Sequence, residues 1–491
     1  MPALPEHIAI RLPAVSDVAR ACPGLYVCGM RLPTAAPLAT MLMCGSWLAA
    51  IPPQEHIARV VAPYIEGEWC MSAVVGMVDA GGRKVTGFGR ISSKNSTAPD
   101  ARTIYEIGSI TKPLTALLLA QMHLAGEVGL EDPIAMYLPQ RLKTPATDGG
   151  PITLLSLATH RSGLPRLPGN SRPATAANPY ADYTAERLYE FLESWRPLRK
   201  AGEAYEYSNL GFGLLGHVLS LRANRTYDQL LLERICAPLK LTDTLIVLDE
   251  ERRPRLAPGH DADGNPAGNW DFDALAGCGA VRSTGRDMTA LLAANLGLVR
   301  SPLGEAIRLT HTVRAPAEGP NDMALGWLVN RQSGVVWHNG QTGGYHCCVM
   351  MDISRKLGVA VLSNTASMAV DRLAADLLLL MQTGKVPAPG VAAAVRLERN
   401  ILPEYAGVYV LSPGVPVVIT HDDGRLYAQV PGQRAVRLYP AAPETFSARI
   451  VAAQFDFKRD ATGRVAGLVL RQEGIERRAV RIGAPATSPS P

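Results

Sequence analysis

The chain has 491 residues, 47% of them hydrophobic and 19% charged, and a formal net charge of +5. That length exceeds what one hydrophobic core serves and implies two domains of unequal size, while the composition is that of a globular protein with a large core. So small a positive excess, without a basic run interleaved with aromatics, argues against nucleic acid as a partner. The eight cysteines (Cys22, Cys28, Cys44, Cys70, Cys236, Cys278, Cys347 and Cys348) lack the spacings of a disulfide framework or a zinc cage.

Residues 1–50 read as a leader. No charge interrupts the chain between Arg31 and Glu55, and Leu38 to Ala50 is almost wholly apolar, closing on Leu48-Ala49-Ala50. That is the shape of a secretory signal, with Met30 as an alternative start. Cys44 lacks the small residue that precedes a lipoprotein cysteine. Export to the periplasm or beyond is the expectation, and a loosely packed N-terminal arm on a cytoplasmic protein the alternative. No other segment reaches the roughly 18 apolar residues of a membrane span.

From residue 56 to 382 the pattern is that of one mixed domain. The runs Ala73–Val78 and Val85–Gly89, joined by Asp79-Ala80-Gly81-Gly82-Arg83-Lys84, predict a β-hairpin. Helical patterns follow from Ser109 to about Leu245. They are interrupted by a Pro-, Asn-, Ser- and Ala-rich loop over 165–183, a length at which loops are often functional. Strand-like runs return at 334–337, 347–351 and 359–362, ahead of a helix at 369–381. The two ends of the domain are thus expected to share a sheet, with helices around it: an α/β (α+β) layer rather than a strand–helix alternation. Residues 383–396 read as a linker. Over 397–482, short strand-like runs at turn-punctuated spacing predict a small antiparallel barrel or sandwich, and 483–491 a disordered tail.

Three stretches carry chemistry. In Glu106-Ile107-Gly108-Ser109-Ile110-Thr111-Lys112, the serine and lysine lie one helical turn apart on one face. A helix starting near Ser109 puts its hydroxyl where free N–H groups and the positive dipole end favour developing negative charge. Lys112 can then accept the hydroxyl proton. Alone, S-x-x-K is equally an ordinary helix start. In Tyr207-Ser208-Asn209, a tyrosine near a lysine can relay a proton, and an asparagine can bind both the lysine and a substrate amide. In Trp337-His338-Asn339-Gly340-Gln341-Thr342-Gly343-Gly344-Tyr345, a strand edge with glycines admits another backbone. His338 there could offer a donor to a carboxylate or carbonyl.

Together, in this order and spacing, the three stretches resemble the β-lactamase and DD-peptidase superfamily of active-site serine enzymes. The branch they resemble holds class C β-lactamases, DD-carboxypeptidases, D-aminopeptidases and related esterases. The resemblance spans about residues 70–382 and includes Pro151–Pro165 and Thr284–Met288; the 397–482 segment resembles a lipocalin-like barrel appended to some members. It implies a transpeptidase-like domain, an antiparallel sheet flanked by helices, joined to that barrel. It also implies an acyl-enzyme on Ser109, with Lys112 as base, Tyr207 as proton shuttle and Asn209 on the substrate carbonyl. The N–H groups of Ser109 and Gln341 would form an oxyanion hole on a strand lined by His338, Asn339 and Gly340. His338 stands where class C enzymes carry lysine, which favours a carboxypeptidase or esterase; Asn339 stands for a threonine, which argues against tight recognition of a C-terminal carboxylate.

The expected substrate is a β-lactam, a D-amino-acid peptide or an ester, with no metal or cofactor, because every reacting group comes from the protein. A carboxylesterase or transacylase on the same residues is one alternative, and a penicillin-binding sensor that acylates without turnover is another. Two further stretches read as structural: His160 as a histidine bonded to backbone, and His260-Asp261-Ala262-Asp263-Gly264-Asn265 as a turn without the spacing of a calcium loop.

Overall fold

The structure is a computed structural model describing residues 51–142, 150–197, 199–393, 395, 397–398, 400–411, 414–451, 453–472 and 474–483. The expected leader and the tail beyond Gly483 lie outside the described residues. The hairpin forms from Ser72–Asp79 and Gly82–Gly89 with Val75 opposite Thr86. Its first strand then pairs antiparallel with Leu357–Ser363, Val74 opposite Leu362, so that the two ends of the domain do share one sheet. Onto that strand add His346–Asp352 and Val336–Gln341, followed by the short strands Leu328–Asn330, Asn321–Met323 and Ala315–Pro316, making an eight-stranded antiparallel sheet. The last three escape sequence reading because strands of two or three residues cannot show an alternation.

Ser72–Asp79 is buried along its whole length, so its two faces feed two cores. Val74 and Val78 face the core shared with the helices Thr111–Leu124 and Gly285–Asn295. Ala73, Val75 and Met77 face the core shared with Gln54–Glu66 and Ala369–Thr383. The adjacent Cys347 and Cys348 divide between the same two cores, as the two-residue period of a strand requires. Both are free thiols, and burial pushes Cys347 up to about 12.

After Leu402–Tyr405, eight strands from Gly407–Leu411 to Ile475–Gly483 close into a barrel, the first pairing with the last. Its interior is filled: Tyr405, Tyr409, Phe446 and Phe457 pack edge-to-face and tilted at centroid distances of 4.8–5.7 Å. The barrel docks on the preceding helix-and-sheet domain through arginines. Arg434 pairs with Asp261 and Arg437 with Glu68. Arg449 lies between two rings, its Cζ 3.6 Å from the Trp69 centroid and 3.5 Å from that of Tyr439, and it donates to Gly67 O and Glu68 O at 2.6 and 2.8 Å. Burial pulls this guanidinium down to about 10. Arg449→Ala, which removes two cation–π contacts and two charged hydrogen bonds, is expected to cost ~2–4 kcal/mol of docking energy. Calorimetry should resolve a separate, earlier barrel transition in this variant; one unshifted transition would disprove the clamp.

Candidate active site

The segment Gly108–Ile110 is a single 3-10 turn that runs directly into the α-helix Thr111–Leu124. Ser109 is therefore held at the helix start, and Lys112, one turn on, is fully buried beneath it. A buried amino group needs partners. Lys112 Nζ donates to Ser109 Oγ at 2.8 Å and to the Cys278 carbonyl at 2.8 Å, the latter presented by the turn Ala276–Cys278. Tyr207 OH donates to the same Oγ at 2.8 Å, and Lys112 Nζ sits 4.9 Å from its ring centroid. Serine, lysine and tyrosine thus share one relay centred on Oγ.

Tyr207 precedes the helix Asn209–Ala223, whose cap is Ser208: its Oγ accepts the Gly211 N–H at 2.8 Å and donates to Pro165 O at 2.7 Å. His160 supports the tyrosine from behind. Its ring packs 4.4 Å from that of Tyr207, and its Nδ1 accepts the Ser208 N–H at 2.9 Å, the backbone bond expected of a structural histidine. Burial, then the nearby Lys112 charge, holds it well below the usual histidine range and therefore neutral. Asn209 does not reach Lys112. Its Nδ2 donates to Tyr180 OH at 3.0 Å, and its buried Oδ1 has no partner among the described residues, which leaves it for an N–H donor.

Tyr180 comes from the long loop and stacks on Phe272 at 4.6 Å, with Trp270 at 5.4 Å. Trp270 is fixed by Glu106, whose Oε1 accepts from the Trp270 N–H and Asn269 Nδ2, each at 3.0 Å, and from Arg282 at 3.3 Å. Burial pushes the Glu106 pKa up, and Arg282 acts against that shift. Sequence reading missed Tyr180, Trp270, Phe272 and the Cys278 carbonyl. The only trace was the length of the 165–183 loop.

The strand Val336–Gln341 closes the other side. Along it, His338 and Gly340 are buried toward the nucleophile turn. A Cβ on Gly340 would lie 1.9 Å from Ile107 O and 2.8 Å from Ser109 N; one on Gly108, whose φ is +49°, would lie 2.7 Å from Gln341 N. Only glycine lets the two backbones converge this closely, and the convergence brings the N–H-bearing segments of Ser109 and Gln341 together.

Two expectations need correction here. Asn339, expected on substrate, alternates to the far face of the strand and donates to Asp371 at 2.7 Å. His346 binds the same carboxylate at 2.7 Å and the Gln341 side-chain carbonyl at 3.0 Å. His338, expected as a donor, lies within the site, its ring 6.4 Å from that of Tyr207. However, its Nδ1 is 2.5 Å from the Asn339 carbonyl, an acceptor, so Nδ1 carries the proton. Burial, then Lys112, lowers His338 to about 3. It is a neutral ring whose Nε2 can only accept. Asp261 to Asn265 form a turn between the paired strands Gly259–His260 and Pro266–Ala267, and no metal-holding cluster occurs among the described residues.

The family model described as Beta-lactamase matches residues 57–382, and one described as a domain of unknown function (DUF3471) matches 392–480. The chain is 27% identical over 329 residues to the D-alanyl-D-alanine-carboxypeptidase/endopeptidase AmpH of Escherichia coli (strain K12), covering 62% of this chain and 84% of that one. It is 24% identical over 443 residues to Penicillin-binding protein 4* of Bacillus subtilis (strain 168), covering 80% of this chain and 91% of the other. Among solved structures, a class C beta lactamase from Rhodobacter sphaeroides aligns with a TM-score of 0.59 at 25% identity, over 68% of this chain and 100% of that one.

Proposed function

Because the chain belongs to the beta-lactamase family and is a serine hydrolase of the β-lactamase and D-alanyl-D-alanine carboxypeptidase type, we propose that it cleaves an amide, β-lactam or ester bond through an acyl-enzyme on Ser109. The observation that carries this reading is the single Oγ met at 2.8 Å by both Lys112 Nζ and Tyr207 OH. In the proposed reaction the Oγ proton passes into the Lys112–Tyr207 relay as Oγ attacks the carbonyl carbon. The oxyanion is received by the Ser109 and Gln341 N–H groups, aimed where charge develops. Tyr207 gives a proton to the leaving group as its bond to carbon breaks, and water then hydrolyses the ester through the same relay. Asn209 Oδ1 and the aromatic wall of Tyr180 and Trp270 hold the acyl side.

A neutral His338 places less demand on substrate charge than a lysine there, so a carboxylesterase is the second reading. The substrate is a small molecule or peptide, and the leader-like 1–50 segment supports a periplasmic or secreted location. Among the described residues no helix is long and apolar enough to cross a membrane. The test is mass spectrometry of the purified protein mixed separately with a chromogenic cephalosporin, a D-alanyl-D-alanine peptide and a short-chain nitrophenyl ester. An acyl adduct on the Ser109 peptide is expected. Turnover without one, or an adduct elsewhere, would overturn the reading, and the fastest substrate separates β-lactamase, carboxypeptidase and esterase. A stable adduct without turnover would identify the sensor.

A further inference from the structure

The strand beside the nucleophile offers no cation to a substrate. His338 is neutral with its one N–H taken, and Asn339 faces Asp371. A cation does stand beside Tyr207. Arg166 is exposed, and its Cζ lies 5.0 Å from the ring centroid of Tyr207, the ring that also packs on His160. Its backbone is fixed to the site, since Arg166 O accepts the N–H groups of Asn209 and Leu210 at 3.0 and 3.2 Å. Neighbouring arginines are engaged: Arg161 donates to Gly202 O and Glu203 O, Arg187 pairs with Asp182, and Arg199 pairs with Glu206. Arg166 makes no ion pair among the described residues, yet its charge acts on His160, Tyr180 and Cys278 around the pocket.

An unpaired guanidinium is a planar fork matched to a carboxylate, and such a pair is strongest where part of it is shielded from water. Tyr207 is the group placed to protonate the leaving group, so a cation over its ring lies beside the departing half of the substrate. We propose that Arg166 is the carboxylate-recognising residue of this site, selecting substrates that carry a carboxylate on the leaving-group side of the scissile bond. This rests on the acyl-serine reading above and adds a specificity determinant from the loop in place of a cation on the strand.

The test uses two esters of one acyl group, one leaving as 3-carboxyphenol and the other as phenol, with wild type, Arg166→Gln and Arg166→Lys. The readouts are kcat/KM for each ester and the Ser109 adduct by mass spectrometry. The carboxylate-to-neutral ratio of kcat/KM is expected to fall at least tenfold in R166Q and to recover partly in R166K, and salt should lower the ratio in wild type and R166K but not in R166Q. An unchanged ratio, with Ser109 still acylated, would overturn the role of Arg166 and leave the acyl-serine reading standing. Equal losses on both esters would also overturn it, because Arg166 would then merely position Tyr207. No Ser109 adduct in wild type with either ester would overturn the underlying reading, and this inference with it.

Discussion

Ser109→Ala is expected to abolish acylation, with kcat falling by on the order of 10⁶, the scale seen when the nucleophile of an interdependent catalytic set is removed. The relay leaves no substitute: Oγ is the one atom that both Lys112 and Tyr207 contact at 2.8 Å. Removing it also leaves the fully buried Lys112 Nζ with the Cys278 carbonyl as its remaining hydrogen-bond partner. An accompanying loss of ~1–3 kcal/mol in folding stability is therefore expected. Single-turnover kinetics with the substrate identified as fastest, together with denaturant unfolding, measure both. Acylation within a hundredfold of wild type would show that another residue carries the chemistry.

Gly340→Ala should damage catalysis without touching a side chain. The new Cβ would meet Ile107 O at 1.9 Å and Ser109 N at 2.8 Å, both backbone atoms of the nucleophile turn and neither free to swing away. The strand must retreat, taking the Gln341 N–H from its place opposite Ser109. Loss of one oxyanion donor corresponds to about 10²–10³ in kcat, and the overpacking adds ~1–3 kcal/mol of destabilisation. A variant with a lowered unfolding midpoint and a full acylation rate would show that the strand does not supply the oxyanion donor. A loss of rate with Ser109 still labelled slowly at the same peptide is the expected pattern.

How much of this was legible depended on sequence distance. The Ser109–Lys112 pair is local, and helical geometry alone places the two on one face. The hairpin at 72–89 and the later strands of the sheet could be read because their apolar runs are long enough to show. Two of the eight barrel strands could not. Thr445–Ala448 has four residues, and Ile475–Gly483 carries Glu476, Arg477, Arg478 and Arg481, which hide its alternation. Asn339 was misjudged because its neighbours His338 and Gly340 both face the site, and the strand period sends the residue between them to the other side. Arg166 and Tyr180 sit in a loop with no periodicity to read.

The sequence by itself determined the kinds of group available, their order, and the serine–lysine spacing that one helical turn converts into contact. Only the tertiary structure brought the distant atoms of the relay together: Tyr207, which the motif resemblance had named, from 98 positions beyond Ser109, and the Cys278 carbonyl, which no motif marked, from 166 beyond Lys112. It also decided that His338 is buried and neutral and that Arg166 makes no ion pair among the described residues. The physical reason is range. A hydrogen bond acts over about 3 Å and a protonation state answers to burial and nearby charge, and both are set by packing between segments far apart in the chain.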